Sequence, residues 1–249
     1  MRRTRTTRRT PIALPLGLPL GFPLSLQLSL LLALLLLAPT GPPAAAAAPQ
    51  PPPPPPTPAA DLCTGRFGDD ARLGPEVLPT GGAHPLAKML DGWRRTGALQ
   101  PAAFLRQYWE GPPETGRWKY PPRDGFAELN GVPDRTDDAL PPGSRLDRFG
   151  PDSGTFLAPA GDPYPARSLP PQSLRTRPGG AACDYHVYEV LRTLPVRRGP
   201  AAPWFEQPGG GTQFRLDAAL LDPGPGQRLN VRWLLDHGYL AARTGTPAP

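Results

Sequence analysis

Proline limits this chain more than any other residue. There are 41 prolines among its 249 residues, and each one inside a helix removes a hydrogen-bond donor and clashes with the preceding turn. Fifteen lie in residues 1–60, which leaves 26 in the remaining 189, still well above the usual share of roughly 5%. A helical bundle is therefore excluded. The pattern predicts short elements joined by fixed, turn-rich loops, and residues 61–249 are enough for one core carrying a small appended lobe.

The basic balance of 27 Lys+Arg over 21 Asp+Glu dissolves on inspection. Every charge in residues 1–60 is an arginine (Arg2, Arg3, Arg5, Arg8, Arg9), and without them 22 basic side chains face 21 acidic ones. Nucleic acid is not expected as a partner, because counterion release needs a concentrated basic surface. The arginines instead form a positive leader to the apolar stretch 12–37, followed by small residues at Ala44–Ala48. Residues 1–48 thus read as a secretory signal. The alternative is an uncleaved anchor, the one case in which a membrane is a partner. Pro15, Pro19 and Pro23 leave too short a good helix for a span of about 20 residues. Residues 49–60, nearly all proline, read as an extended spacer.

Export puts Cys63 and Cys183 in a compartment that permits disulfides. Pairing closes a loop worth roughly 4–5 kcal/mol in the chain-entropy model; the alternative is two free buried thiols. Neither CxxC nor a zinc spacing occurs, and three scattered histidines give a transition metal little to bind, so no metal site is expected.

Periodicity predicts one helix over His84–Gly97 and another over Pro101–Glu110, the latter with proline in its first turn. Trp118–Leu140 reads as an irregular covering segment. Tyr185–Val196 alternates as a single strand, Thr212–Leu216 is a second, and Asn230 caps a last helix that ends at Gly238. The fold class is α+β: a helical and irregular lobe over 61–142, then a compact β-sheet domain over 143–249. No GxGxxG follows a strand, which disfavours a dinucleotide fold of the Rossmann type.

Four segments then combine in order. They are Asp147-Arg148-Phe149-Gly150 with Gly154-Thr155-Phe156, Arg167-Ser168-Leu169-Pro170-Pro171, Tyr185-His186-Val187-Tyr188, and Ala202-Pro203-Trp204-Phe205-Glu206-Gln207-Pro208 leading through three glycines to Thr212-Gln213-Phe214. Over about residues 143–241 the chain resembles the TNT domain, the family of the tuberculosis necrotizing toxin and the fungal cell-surface NAD glycohydrolases. Upstream, Cys63-Thr64-Gly65, Leu73-Gly74-Pro75 and Trp93–Gly97 resemble the start of the secreted fungal type. The resemblance implies hydrolysis of the nicotinamide–ribose bond of NAD, in a secreted or surface enzyme that takes NAD as substrate and requires no cofactor.

What the resemblance implies for single residues agrees with their chemistry. Arg148 stands at the essential arginine, and a planar guanidinium suits a pyrophosphate. Gln213 stands at the catalytic glutamine; an amide bonds a ribose hydroxyl or orients water but is no strong base. Phe156 falls at an aromatic position, often tyrosine, where a ring stacks on nicotinamide. His186, Trp204, Phe205 and Gln207 are further candidates for substrate contact. Glu206 replaces a usual glycine, so the local turn is expected to differ and its charge to weigh against an anionic dinucleotide. The ordinary readings are a surface ion pair of Arg148 with Asp147 or a neighbour, a core phenylalanine and a structural histidine. Competing functions are an ADP-ribosyltransferase-type toxin, for which no clear Glu-x-Glu or Gln-x-Glu pair is present, and a secreted binding module without turnover. A toxin implies a cognate inhibitor protein as partner. Ala241–Pro249 holds no acidic cluster, so the calcium site of some fungal relatives is not expected.

Overall fold

A computed structural model describes residues 62–81 and 84–244; the expected signal over 1–48 and spacer over 49–60 lie outside the described residues. Within them the chain makes three short α-helices and eleven strands, the longest strand running seven residues. Helix α1 spans Pro85–Met89, α2 Pro101–Tyr108 and α3 Val231–Asp236. Both α1 and α2 begin on proline, whose missing N–H belongs to the unpaired first turn anyway. The first helix is shorter than expected. It ends at Leu90, and Gly92 at φ 74° turns the chain before Trp93. Helix α2 stops at Tyr108, because Trp109–Glu110 (β1) pairs antiparallel with Arg117–Trp118 (β2) across the Pro112-Pro113 turn. Asn230 caps α3 as the sequence predicts, its Oδ1 accepting from Trp233 N at 2.8 Å.

Glu128–Leu129 (β3) and Val132–Pro133 (β4) form a minimal hairpin. The remaining strands are β5 Thr136–Leu140, β6 Arg145–Phe149, β7 Phe156–Pro159, β8 Tyr185–Val190, β9 Leu194–Pro200, β10 Thr212–Arg215 and β11 Leu240–Arg243. They build one seven-stranded sheet in the order β11-β8-β6-β7-β10-β9-β5, with every neighbouring pair antiparallel. The fold is sheet-rich with few helices. Two expectations are corrected. The end of the segment read as irregular is β5, an edge strand paired to β9 along its whole length. The strand read over Tyr185–Val196 breaks after Val190 into β8 and β9, which are not neighbours. Alternation simply continues across the break, so periodicity carries no sign of it.

Both faces of the sheet are covered, which is why adjacent Val187 and Tyr188 are each almost wholly buried. On one face Leu146, Leu157, Tyr188 and Phe214 pack against Val231 and Leu234 of α3. On the other, Phe149, Tyr185 and Val187 meet Leu62, Leu86, Met89, Tyr164 and Leu174. A third cluster gathers Phe104, Tyr108 and Trp118 around Phe205.

Cys63 and Cys183 are joined by a disulfide, so the free-thiol alternative falls. Thr176 is stitched to both cysteines and to Leu62. Its N–H donates to Cys63 O at 2.9 Å, its hydroxyl to Leu62 O at 2.7 Å, and its Oγ1 accepts from Cys183 N at 2.8 Å. Closing a loop of this length stabilises by about 5 kcal/mol in the chain-entropy model. Cys63→Ser should therefore lower the melting temperature by roughly 10 °C, and a reductant should do the same to the unsubstituted chain. Equal melting with and without reductant would show that the bridge contributes nothing.

Candidate active site

The seven strands do not form an unbroken surface. Strands β6 and β7 pair only at Leu146↔Pro159 and Asp147↔Ala158. Beyond that point Arg148 and Phe149 pair with β8 alone, and Phe156 and Leu157 with β10 alone. The sheet forks, and the fork opens into a cleft of about 700 Å³ lined by Arg148, Phe149, Phe156 and Leu157. Gln213 joins them from β10, while Tyr120, Asp124 and Gly125 form a wall from the covering segment. A volume of this size lies within the ordinary range of ligand sites, about 300–1,000 Å³.

Arg148 spans the fork. Its Nε donates to Gly150 O at 3.1 Å and its Nη1 to Phe156 O at 2.8 Å, so it satisfies carbonyls that the parted strands leave unpaired. Nη2 has no protein partner, and no carboxylate lies within ion-pair distance, among the described residues. Burial pushes the guanidinium pKa down, against the pull of Tyr188, Asp184, Asp152 and Tyr120; an arginine nevertheless stays charged. A cation so placed favours an anionic ligand. Its seat depends on Gly154, where an added Cβ would lie 2.1 Å from Nη2. The Gly154 loop is in turn anchored on the start of α3, since Val231 N donates to Gly154 O at 3.0 Å and Arg232 N to Asp152 O at 2.8 Å.

Gln213 is held by backbone pairing to Gly199, and its Nε2 donates to Asp124 O at 2.9 Å. Phe156 is 37% exposed, unusual for a phenylalanine on a central strand. The cleft wall also carries the buried hydroxyl of Ser168, which has no hydrogen-bond partner among the described residues.

The ion pair considered between Arg148 and Asp147 is absent. Consecutive strand residues point to opposite faces, and Asp147, fully buried, turns to Arg167. Its carboxylate accepts from both terminal nitrogens of Arg167, from Gly161 N at 2.8 Å and from Tyr185 OH at 2.8 Å. Burial drives the Tyr185 phenol pKa upward, helped by the Asp147 charge.

The other predicted residues lie outside the cleft lining. His186 pairs across the sheet with Arg148 and places Nε2 2.9 Å from Asp184 Oδ1. Burial works against the Asp184 carboxylate, but hydrogen bonds with His186 and Arg177 outweigh it and hold its pKa low. Trp204 donates to Lys119 O at 2.7 Å, Phe205 is wholly buried among aromatics, and the buried Gln207 donates to Arg94 O at 2.8 Å. Glu206 takes φ 58° although it is not glycine. It faces α2 rather than the cleft, accepting from Tyr108 OH at 2.9 Å. Sequence reasoning missed Tyr120, Asp124 and Ser168. Ser168 sits inside the Arg167–Pro171 motif, which gives its side chain no separate signal. Tyr120 and Asp124 lie in no motif, although the run of aromatics and aspartates before Leu140 marks the segment that supplies them.

The family model for tuberculosis necrotizing toxin matches residues 139–242. A curated relative, the conidial surface nicotinamide adenine dinucleotide glycohydrolase nadA of Aspergillus fumigatus, is 46% identical over 172 residues, 69% of this chain and 68% of that one. The chain belongs to the tuberculosis necrotizing toxin family. Among solved structures, tuberculosis necrotizing toxin with its immunity factor IFT has a TM-score of 0.43 at 24% identity, covering 57% of this chain and 71% of the toxin. Tse6 with Tsi6 has a TM-score of 0.26 at 15% identity, covering 45% of this chain and 72% of that one. Arg148, Phe156 and Gln213 fall inside the span matched to the family, whereas Tyr120, Asp124 and Gly125 precede it.

The buried ion pair generates a stability prediction. Arg167→Met leaves Asp147 without its cation and should cost about 3–5 kcal/mol in urea unfolding. A loss below about 1 kcal/mol would fit only an exposed pair.

Proposed function

We propose that this chain is a secreted or surface-displayed NAD glycohydrolase, cleaving the nicotinamide–ribose bond to give nicotinamide and ADP-ribose. The observation that carries the reading is the carboxylate-free Arg148 guanidinium at the fork of the sheet, in one cleft with the Gln213 amide and the open Phe156 ring. The similarity to nadA agrees with it. In this reading residues 1–48 export the chain, 49–60 tether it, 61–142 supply a wall of the site and 143–249 carry the reacting groups.

The chemistry asks little of an acid or base. Water adds to the anomeric carbon, the C–N bond breaks with its electron pair going to the pyridinium ring, and nicotinamide departs neutral while the water loses a proton. The site must hold the dinucleotide and stabilise an oxocarbenium-like ribose. Arg148 offers Nη2 to a pyrophosphate oxygen. Phe156 stacks on the nicotinamide ring, and Ser168 Oγ supplies a further hydrogen-bonding group. Gln213, with Nε2 committed to Asp124, presents Oε1 to a ribose hydroxyl or the attacking water. His186 acts through Asp184. Trp204, Phe205 and Gln207 act from outside the cleft by fixing the segment that enters β10. A cognate inhibitor protein belongs to this reading wherever the enzyme meets its producer's own NAD.

Nicotinamide release from NAD, followed by chromatography, tests the proposal. Arg148→Ala and Gln213→Ala should each lower kcat/KM at least a hundredfold, about 2.7 kcal/mol of lost stabilisation. Gln213→Ala should leave the melting temperature nearly unchanged, whereas Arg148→Ala, which strips the donors from Gly150 O and Phe156 O, should lower it by a few degrees. No release by the unsubstituted chain would sink the reading. Gly154→Ala is a sharper probe. Its backbone tolerates alanine, and the displaced atoms are the far end of a flexible side chain, so stability should hold while kcat/KM falls at least tenfold. Full activity in that variant would mean that the guanidinium position is immaterial.

A further inference from the structure

The catalytic glutamine assigned above leans on a segment that precedes the family match. Arg123, Asp124 and Gly125 take φ values of 54°, 58° and 73°, three consecutive left-handed residues of which two are not glycine. Such backbone costs free energy at the two non-glycine residues and persists there only where the surroundings over-determine it, which is typical of functional sites. Here the surroundings are explicit. Gly125 N donates to Pro122 O at 3.0 Å, and Gly125 O accepts from Ala202 N at 2.8 Å. Arg123 pairs with Glu128 at 2.6 Å. The Asp124 carboxylate binds Arg135 at 2.8 Å and Arg215 at 3.3 Å.

Asp124 reaches one strand, β10, twice. Arg215 follows Gln213 by two positions, so both side chains leave β10 on one face. Asp124 meets the first through its carboxylate and the second through its carbonyl. A carbonyl only accepts, so the amide of Gln213 must turn Nε2 toward it, and Oε1 becomes the end left for ligand. We propose that the left-handed turn Arg123–Gly125 is a positioning device for Gln213, with Asp124 as the positioning residue that decides which end of the amide addresses the substrate. The upstream lobe is thus part of the catalytic apparatus. This inference rests on the glycohydrolase reading.

The test uses the full chain with Asp124→Ala, Asp124→Gly, Asp124→Asn, Gln213→Ala and the Asp124→Ala/Gln213→Ala double variant. Asp124→Ala should lower kcat about tenfold while KM stays within about twofold. Asp124→Gly keeps the backbone free of strain and loses only the clamp, so it folds and should still lose rate. Asp124→Asn tolerates left-handed φ, retains an acceptor for the two arginines, and should recover most of the lost rate. In the Gln213→Ala background Asp124→Ala should have no further effect; additive losses, or a rise in KM matching the fall in kcat, would overturn the proposal. A second readout needs no turnover. The side-chain amide resonances of Gln213, identified by their absence in Gln213→Ala, should shift in Asp124→Ala and return in Asp124→Asn. Absent NAD hydrolysis with this shift intact defeats the glycohydrolase reading and leaves the positioning contact standing; resonances unmoved by Asp124→Ala defeat the positioning contact itself.

Discussion

Asp147 stands at the last rung that joins β6 to β7, one residue before the sheet forks. Two strands that part in the middle of a sheet leave backbone groups unpaired and an interior open to water. Something must stop the fork from spreading. The Asp147 carboxylate does so by drawing together three parts of the chain: Gly161 and Arg167 beyond β7, Tyr185 on β8, and its own strand β6. Arg167 adds bonds to Asp162 O, so the loop after β7 is fixed as well. The next residue, Arg148, points to the opposite face and bridges the gap itself. Neighbouring residues of one strand therefore divide the labour, Asp147 closing the fork behind and Arg148 occupying it in front.

The walls of the cleft come from farther away, and each is tied down differently. The Arg175–Arg177 wall is fastened through Thr176 to the bridged cysteines. The Tyr120–Gly125 wall leans on the aromatic cluster, where Tyr120 meets Phe205 edge to face at 5.7 Å. Phe205 is the point where the approach to β10 packs on Phe104, Tyr108 and Trp118. Its left-handed backbone and that of Glu206 are sustained by this burial and by the Tyr108 hydrogen bond.

Local chemistry was legible in the sequence, and tertiary consequence was not. Proline spacing announces short elements, and Asn230 announces its cap. Arg148, Phe156 and Gln213 are readable because they sit in ordered motifs. The partner of Asp147 is 20 residues away, but its absence from Arg148 follows from strand alternation alone. Helix α1 was overextended because Trp93 keeps helical spacing beyond the Gly92 turn. The split between β8 and β9 is invisible because alternation does not register which neighbour a strand pairs with. Asp124 is hardest of all: it contributes to Gln213 through its main-chain carbonyl, which every residue type carries, and only folding brings it there.

The sheet's two outer strands have open sides. On β5, Asp137 and Asp138 pair with Arg197 and Arg198 at 3.0 and 3.2 Å, and Pro141-Pro142 follow at once. On β11, Arg243 binds Glu189 at 3.0 Å. Charge and proline on an outer strand obstruct the docking of a strand from another molecule. Such edge-to-edge docking is how copies of a sheet protein aggregate. The residue that keeps its elements short thus also helps to keep its copies apart.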